Sequence, residues 1–535
     1  MLAALFSGCP GGSGGGTPVT GGASYTGTFT YHNDNSRTGQ DLQESLLTPA
    51  NVNSTQFGKL ASFLVDGYIY AQPLYVANVN IGGQLRNVVF VATEHDSVYA
   101  FDADGASGAA PLWHTSFINS SAGVTTVSSN DVSCNDLVPE IGITSTPVID
   151  PATGTLYVVA KTKENGNYFF RVHALDIVTG AETISPQTIA PTFPGSALPN
   201  DGSNNVTFDA KVQHQRSALL LDHGAIYIAF ASHCDIGDYH GWVAAYDAQT
   251  LNPVGAFNAT PDGTWGGIWQ AGGGPAADAS GNVYVITGNG TFDADTAGGR
   301  DFGDSFLKLA GRSLTLSDYF TPYNQADLEA ADRDLGSGPP LLLPDQLVGP
   351  THLLVSAGKE GVIYLLNRDN MGQFLPASAG QDPQIVQRVP SALGGGLFGA
   401  PAYYASKVYF AAANDTLKAF DLSDGLFTPV VTPAPSAQSP TTFGFPGATP
   451  TISANGSNTS TAIVWALQTD QYGTSGPAVL HAYSALNVAT ELYNSSQNLA
   501  RDNPGPAVKF TVPTVANGKV YVGTQTQLSV FGLLP

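Results

Sequence analysis

Charge is scarce in this sequence. Only 12% of its 535 residues are charged, and acidic residues outnumber basic ones 42 to 20, for a net charge of −22. So acidic a chain repels phosphate backbones, which argues against nucleic-acid binding. No apolar run approaches the roughly 20 residues needed to span a bilayer. No Cys-x-x-Cys-His haem site, Gly-x-Ser-x-Gly elbow, zinc-like His/Cys spacing or phosphate-binding Gly loop before a helix occurs. Only three cysteines are present. Glycine and proline, by contrast, number 61 and 35, and hydrophobic residues make up 42%. This is the profile of an all-β protein with a large core and many turns, because Gly and Pro supply the backbone angles that turns need.

One unit recurs along the chain. Asn87–Trp113, NVVFVATEHDSVYAFDADGASGAAPLW, reads strand, tight turn, strand, loop, strand. Seven further copies begin at Gly154, Gly224, Gly281, His352, Ser406, Thr461 and Gly518, at intervals of roughly 50–75 residues. A period of that length, in strands without helices, marks a propeller or array. Each unit is preceded by one more strand, often with Pro near its middle (Pro73, Pro147, Pro275, Pro401, Pro450, Pro513). The result is four strands, A to D, the composition of a propeller blade. The last copy ends after its C strand, and Phe57–Val65 (FGKLASFLV) is a strand without a unit. Pairing the two closes the ring and leaves no open edge. The predicted fold is all-β: an eight-bladed propeller over residues 57–535, with four-stranded antiparallel blades and the last blade completed from the N-terminus. Residues 25–56, polar and rich in Asn and Asp, are expected to cross a surface.

Residues 1–24 read as leader and Gly/Ser linker. LAALFSGCPGGSGGG resembles the end of a bacterial lipoprotein signal, which makes Cys9 a candidate lipidation site. The alternative is an ordinary secretory leader cut nearby. Either way the protein is expected to be exported: periplasmic, extracellular or lipid-anchored to the outer membrane. In such a compartment Cys134 and Cys234 are a candidate disulfide; two separate buried thiols are the alternative.

Antiparallel blades place the B–C and D–A connections on one face and the A–B and C–D connections on the other. The long segments, among them 114–140, 185–213, 232–241, 289–304 and 321–338, are nearly all D–A or B–C. One face is therefore plain and the other heavily looped, and long loops on a rigid scaffold usually carry function. Cys134 (D–A) and Cys234 (B–C) share that looped face. So do Glu94, His95, Asp96, Glu140, Lys161, His214, Arg216, His233, Asn289, Asp301, Asp304 and Lys359. Together they suggest a cup at the channel mouth for a small ligand or a hard cation. Isolated aspartates in 293–304 also suit plain loop and turn caps.

The repeats resemble the quinoprotein alcohol dehydrogenase superfamily of eight-bladed propellers. Ala100-Phe101-Asp102…Gly108…Trp113 resembles its tryptophan-docking motif. AGKEGVIYLLNRDNMG (357–372) is similar to the family stretch whose lysine contacts pyrroloquinoline quinone (PQQ), which falls on Lys359. GNVYVITGNGTFD (281–293) is similar to the stretch whose asparagine binds the active-site calcium, which falls on Asn289. The resemblance implies PQQ and calcium as cofactors, with Glu140 contributing to both sites and Asp301 or Asp304 as catalytic base. Family members stack PQQ between a Trp and a disulfide of two adjacent cysteines. Adjacent cysteines are absent here, the Trp position aligns with Ala271 beside Trp269, and the expected acid falls within LKLAGRS (307–313), where none occurs.

Two functional readings follow. One is a PQQ-dependent oxidoreductase of alcohols or sugars with a remodelled site. The other is a non-catalytic propeller, in the manner of the outer-membrane-assembly lipoprotein, that binds a protein or glycan on its looped face. A polysaccharide hydrolase or lyase has less support, since no defined carboxylate pair can be read from the sequence.

Overall fold

Strand residues alternate between the two faces of a sheet, and here both faces are apolar. In the second blade's B strand, Leu156, Val158 and Ala160 face one way and Tyr157 and Val159 the other. The first set packs with Val76, Phe90 and Val98 of the first blade, the second with Ile226, Ile228 and Phe230 of the third. The same arrangement holds around the ring, so the core is a series of apolar layers between consecutive blades.

The computed structural model describes residues 25–535; the leader, the linker and Cys9 lie outside the described residues. Eight antiparallel sheets form a ring, an eight-bladed propeller. The first blade comprises Leu74–Ile81, Gln84–Thr93, Ser97–Asp102 and Trp113–Ser116. In the eighth, Phe57–Leu64 pairs antiparallel with Gln527–Leu533, from Phe57 opposite Leu533 to Leu64 opposite Gln527. The ring is therefore closed by an N-terminal strand, as the missing outer strand predicted. Among the described residues no helix is long and apolar enough to cross a membrane.

Proline sits at the entry of the A strands rather than at their middle. Pro147, Pro275, Pro401, Pro450 and Pro513 each stand within a residue of the first laddered position. That is where a missing N–H removes no ladder bond. The docking tryptophan behaves as its motif implies. Trp113 Nε1 of the first blade donates to Ile177 O of the second at 2.9 Å. Its ring covers Gly180, where φ is +70° and any Cβ would lie 2.5 Å from the indole.

Of the segment expected to cross a surface, residues 29–39 instead run along the inside of the ring, while 42–56 keep many exposed residues, Leu42, Leu46 and Thr55 among them. The backbone of 29–39 bonds the inner strands in succession: Phe29 O accepts from Ile149 N, Asn35 O from Ala277 N, Ser36 O from Leu342 N, Thr38 O from Tyr403 N and Gly39 O from Ile452 N. Strands crowding an axis leave unpaired edges, and a polar segment satisfies them. Arg37 is fully buried among them. It donates to Pro275 O at 2.9 Å, Tyr31 O and Thr30 Oγ1 at 2.8 Å and Leu219 O at 3.2 Å. Arg37→Met would leave these acceptors unpaired, at about 1–3 kcal/mol each. The variant is expected to lose about 3 kcal/mol or more in a denaturant titration; an unchanged midpoint would remove this role.

Candidate active site

Where the inner strands open toward the looped face, the axis widens into a cavity of about 220 Å³. Every residue lining it comes from a D–A or a B–C connection, as blade geometry requires. Asp136 precedes the second blade, Arg216 the third, Trp269 and Ala271 the fourth, Asp334 and Ser337 the fifth. Phe398, Phe445, Lys509 and Phe510 precede the sixth, seventh and eighth, and Cys234, Asp235 and Lys359 lie in B–C turns.

Lys359 holds one end. Its Nζ lies 2.6 Å from Asp334 Oδ2 and 2.8 Å from Asp332 Oδ1. Burial would lower the pKa of this ammonium, but Asp334 and Asp332 outweigh it and raise the group to about 12. Asn289 completes the cluster: its N–H donates to Asp334 Oδ1 at 2.8 Å and its Nδ2 to Asp332 Oδ1 at 3.0 Å. Asn289 Oδ1 is buried with no hydrogen-bond partner.

The opposite end is cationic and aromatic. Arg216 lies over the Phe510 ring at 4.6 Å and Lys509 at 5.5 Å. Burial and then the neighbouring Arg216 push Lys509 down to about 8. Among the described residues no carboxylate pairs with Lys509, so this end favours an anion. Asp136 is held well below the usual carboxylate range: burial alone would raise it, but His233, His214 and Arg216 outweigh burial.

Cys134 and Cys234 form a disulfide with Cα atoms 5.8 Å apart, and Cys234 and Trp269 both line the cavity. A disulfide and a tryptophan thus line one cavity although the cysteines are 100 residues apart in sequence. Trp269 is followed by Gln270 and Ala271 at φ +46° and +41°. Two successive left-handed residues turn the chain at the point where it meets the cavity.

Of the residues singled out from the sequence, Lys359, Trp269, Arg216 and Cys234 line the cavity and Asn289 touches it through Asp334. Glu140, Asp301 and Asp304 are among those that do not. Glu140 is held by His95 Nδ1 at 3.0 Å and Thr126 Oγ1 at 2.9 Å, because its short strand pairs with Val127–Ser128 rather than reaching inward. Asp301 accepts from the Asp262 N–H at 3.0 Å in an outer loop. Asp304 is fully buried behind Asp334 and accepts from Leu335 N at 3.0 Å. Burial and then Asp334 raise its pKa well above the usual carboxylate value. Three acids line the cavity, Asp136, Asp235 and Asp334; of these Asp334 touches both Lys359 and Asn289, and sequence reasoning missed it by looking for the acid in 307–313. Its signal is position: it is the last acid before an A strand, in one of the long D–A segments.

A calcium site is not well furnished. Calcium takes six to eight oxygen donors. Here Asn289 Oδ1 is free, but the Asp334 carboxylate is shared between an amide and an ammonium, and Glu140 is engaged elsewhere. The lysine ammonium already supplies the local positive charge.

In the first blade's B–C turn, Glu94 is fully buried and accepts from Gly142 N at 2.8 Å. Burial lifts it to about 8, against lowering by this bond, Thr144 and Arg216. The folded state therefore holds a proton on Glu94 that the unfolded chain releases near pH 4.5. The resulting stability is complete below about pH 4.5 and is lost as pH rises through about 8. Glu94→Gln is expected to raise the melting temperature at pH 8–9 by several degrees and to change it little at pH 4.5. An equal shift at both pH values would show that Glu94 is not the titrating group.

The fold is an eight-bladed propeller with a polar cavity on its loop-rich axis. No family model and no curated protein matches the sequence. Solved structures do match in fold. The quinohemoprotein alcohol dehydrogenase ADHIIG from Pseudomonas putida HK5 superposes with a TM-score of 0.62 at 13% identity, over 95% of this chain and 80% of that one. The quinohemoprotein alcohol dehydrogenase from Comamonas testosteroni gives 0.62 at 15%, over the same shares. A europium-containing methanol dehydrogenase gives 0.61 at 13%, over 95% of this chain and 98% of its own.

Proposed function

We propose that this protein is an exported oxidoreductase that binds a quinone of the PQQ type in the axial cavity and oxidises an alcohol or sugar there. The observation that carries the reading is the grouping of Lys359, Asp334, Trp269 and the Cys134–Cys234 disulfide around one cavity. The residues suit an anionic, planar ligand: Trp269 offers an aromatic surface, and Arg216, Lys509 and Lys359 offer cations for carboxylate and carbonyl oxygens. When bound, such a quinone supplies the two-electron acceptor for a carbinol carbon. Asp334 is the candidate to take the hydroxyl proton, and the Lys359 ammonium and the Asn289 N–H orient its carboxylate. The aromatic side chains Phe398, Phe445 and Phe510 exclude water from the cavity. Calcium has no part in this reading, because the donor set is too small. The disulfide supports export.

Purified protein incubated with PQQ should take up one equivalent, followed by quinone absorbance. Lys359→Ala should weaken that uptake by tenfold or more, the effect of removing one charge-assisted bond. Dye-linked assays on alcohols and sugars would then identify the substrate. Absence of uptake by the unmutated protein would sink the reading, and pull-downs and glycan arrays would test the looped face as a non-catalytic binding surface.

A further inference from the structure

Beside the aromatic end of the cavity lies a polar cluster that the quinone reading does not use. Asp136 comes from the loop before the second blade, His214 from the entry to the third, and His233 from the third blade's B–C loop. Asp136 Oδ1 lies 3.2 Å from His233 Nδ1, and Asp136 Oδ2 lies 3.4 Å from His214 Nδ1. One ligand atom from each residue can be chosen so that all lie within 4.8 Å of one another. Two donors bound to one ion at about 2.0–2.2 Å stand about 3.0 Å apart at a right angle and about 3.4 Å at the tetrahedral angle. The observed separations fall in that range.

His214 supplies an independent sign. It is 1% exposed, yet neither ring nitrogen has a hydrogen-bond partner. Its Nδ1 is near the carboxylate but not aligned to donate to it. A buried imidazole with both nitrogens unmet is costly unless something else satisfies it. His233 is held from its far side: its Nε2 is 3.0 Å from Lys161 Nζ, which donates to Gln213 O at 2.9 Å. With a metal on Nδ1 the ring proton stands on Nε2, so binding also requires Lys161 Nζ to stop donating to that nitrogen or to move aside.

We propose that Asp136, His214 and His233 form a binding site for a divalent transition-metal ion of the zinc class, separate from the Asn289–Asp334 end of the cavity. Two imidazoles and a carboxylate suit such ions better than calcium or magnesium. Three protein ligands leave a coordination position open, and Asp136, which lines the cavity, sets that position at its wall. The two imidazole rings are nearly parallel, 14° apart with centroids at 4.4 Å, so occupancy tilts His214 off the face of His233. Arg216, 3.9 Å from Asp136, and Lys161 add positive charge beside the ion, which makes the site weaker than a four-ligand structural zinc site.

The test is a titration of metal-free protein, disulfide intact and without quinone, with Co2+ followed by absorbance and then with Zn2+ in competition. One equivalent per chain is expected. His214→Phe keeps a ring stacked on His233 and should lower the affinity at least tenfold. Asn289→Ala, at the other end of the cavity, should leave it unchanged. Melting temperatures of the metal-free variants separate a lost ligand from a lost fold; if His214→Phe does not fold, Asp136→Asn gives the same readout. Substoichiometric binding by the unmutated protein, or undiminished binding by these variants, overturns the site. Because no quinone is present, that failure would leave the oxidoreductase reading untouched.

Discussion

Asp334→Asn is expected to lower the turnover of quinone-loaded protein by about 10²–10⁴-fold, the usual contribution of a general base, with little change in quinone affinity. The asparagine keeps the shape of the side chain and can still accept from the Asn289 N–H, the contact that now lies at 2.8 Å. It loses the charge that draws Lys359 to 2.6 Å and the lone pair that would take the substrate proton. Asp304→Asn is the matching control. Asp304 is buried away from the cavity and accepts from the Leu335 N–H at 3.0 Å, which an asparagine Oδ1 can also do, so turnover should stay within a few-fold of the parent. A dye-linked assay with both variants decides the matter. Equal losses in the two would move the base away from Asp334, and no loss in either would remove proton abstraction from this end of the cavity.

The second large effect is structural. Removing the disulfide with Cys134→Ser/Cys234→Ser is expected to cost about 4–5 kcal/mol, because the closed loop spans 100 residues and the chain-entropy gain grows with loop length. The melting temperature should fall by about 4 °C, this loss divided by the unfolding entropy of a 535-residue chain. The loop carrying Asp136 is tied to the third blade through this bond, so the cavity wall should loosen and quinone uptake should weaken along with stability. Comparing the variant with the parent, each with and without reductant, isolates the bond. A variant that melts with the oxidised parent would show that packing around Val127, Leu137 and Ile141 holds the loop without the bond.

The propeller was legible because its signal is repetitive. Eight strand units, their short A–B turns, and an orphan strand at Phe57 matching an incomplete last blade allow one closed ring, and the pairing of Phe57 with Leu533 realises it. The division into plain and looped faces was legible for the same reason, since antiparallel connectivity alone assigns each loop to a face. Lys359 and Asn289 were singled out by motif resemblance; Lys359 lies in a short turn after its B strand and Asn289 three residues past the end of its own, so strand geometry fixes where both start from.

The rest of the site depended on long loops. Asp334 and Asp136 lie in D–A segments whose course is set by contacts far away in sequence: a lysine 25 residues on in one case and a disulfide across 100 residues in the other. Glu140 shows the converse. It stands at the right place in the chain, but a local pairing with Val127–Ser128 turns it toward His95. Residues 29–39 were misread because a polar composition suits a solvent surface and the inside of a ring equally well. Only closure of the blades creates the unpaired inner edges that Arg37 and its neighbours satisfy. By itself, then, the sequence determined the architecture, the closure and the division into a plain and a looped face, because these follow from strand period and connectivity. Which acids, cations and aromatic side chains share the axial cavity was decided only by the tertiary structure, because burial, charge pairing and one long-range covalent bond route the loops, and none of these has a local signature.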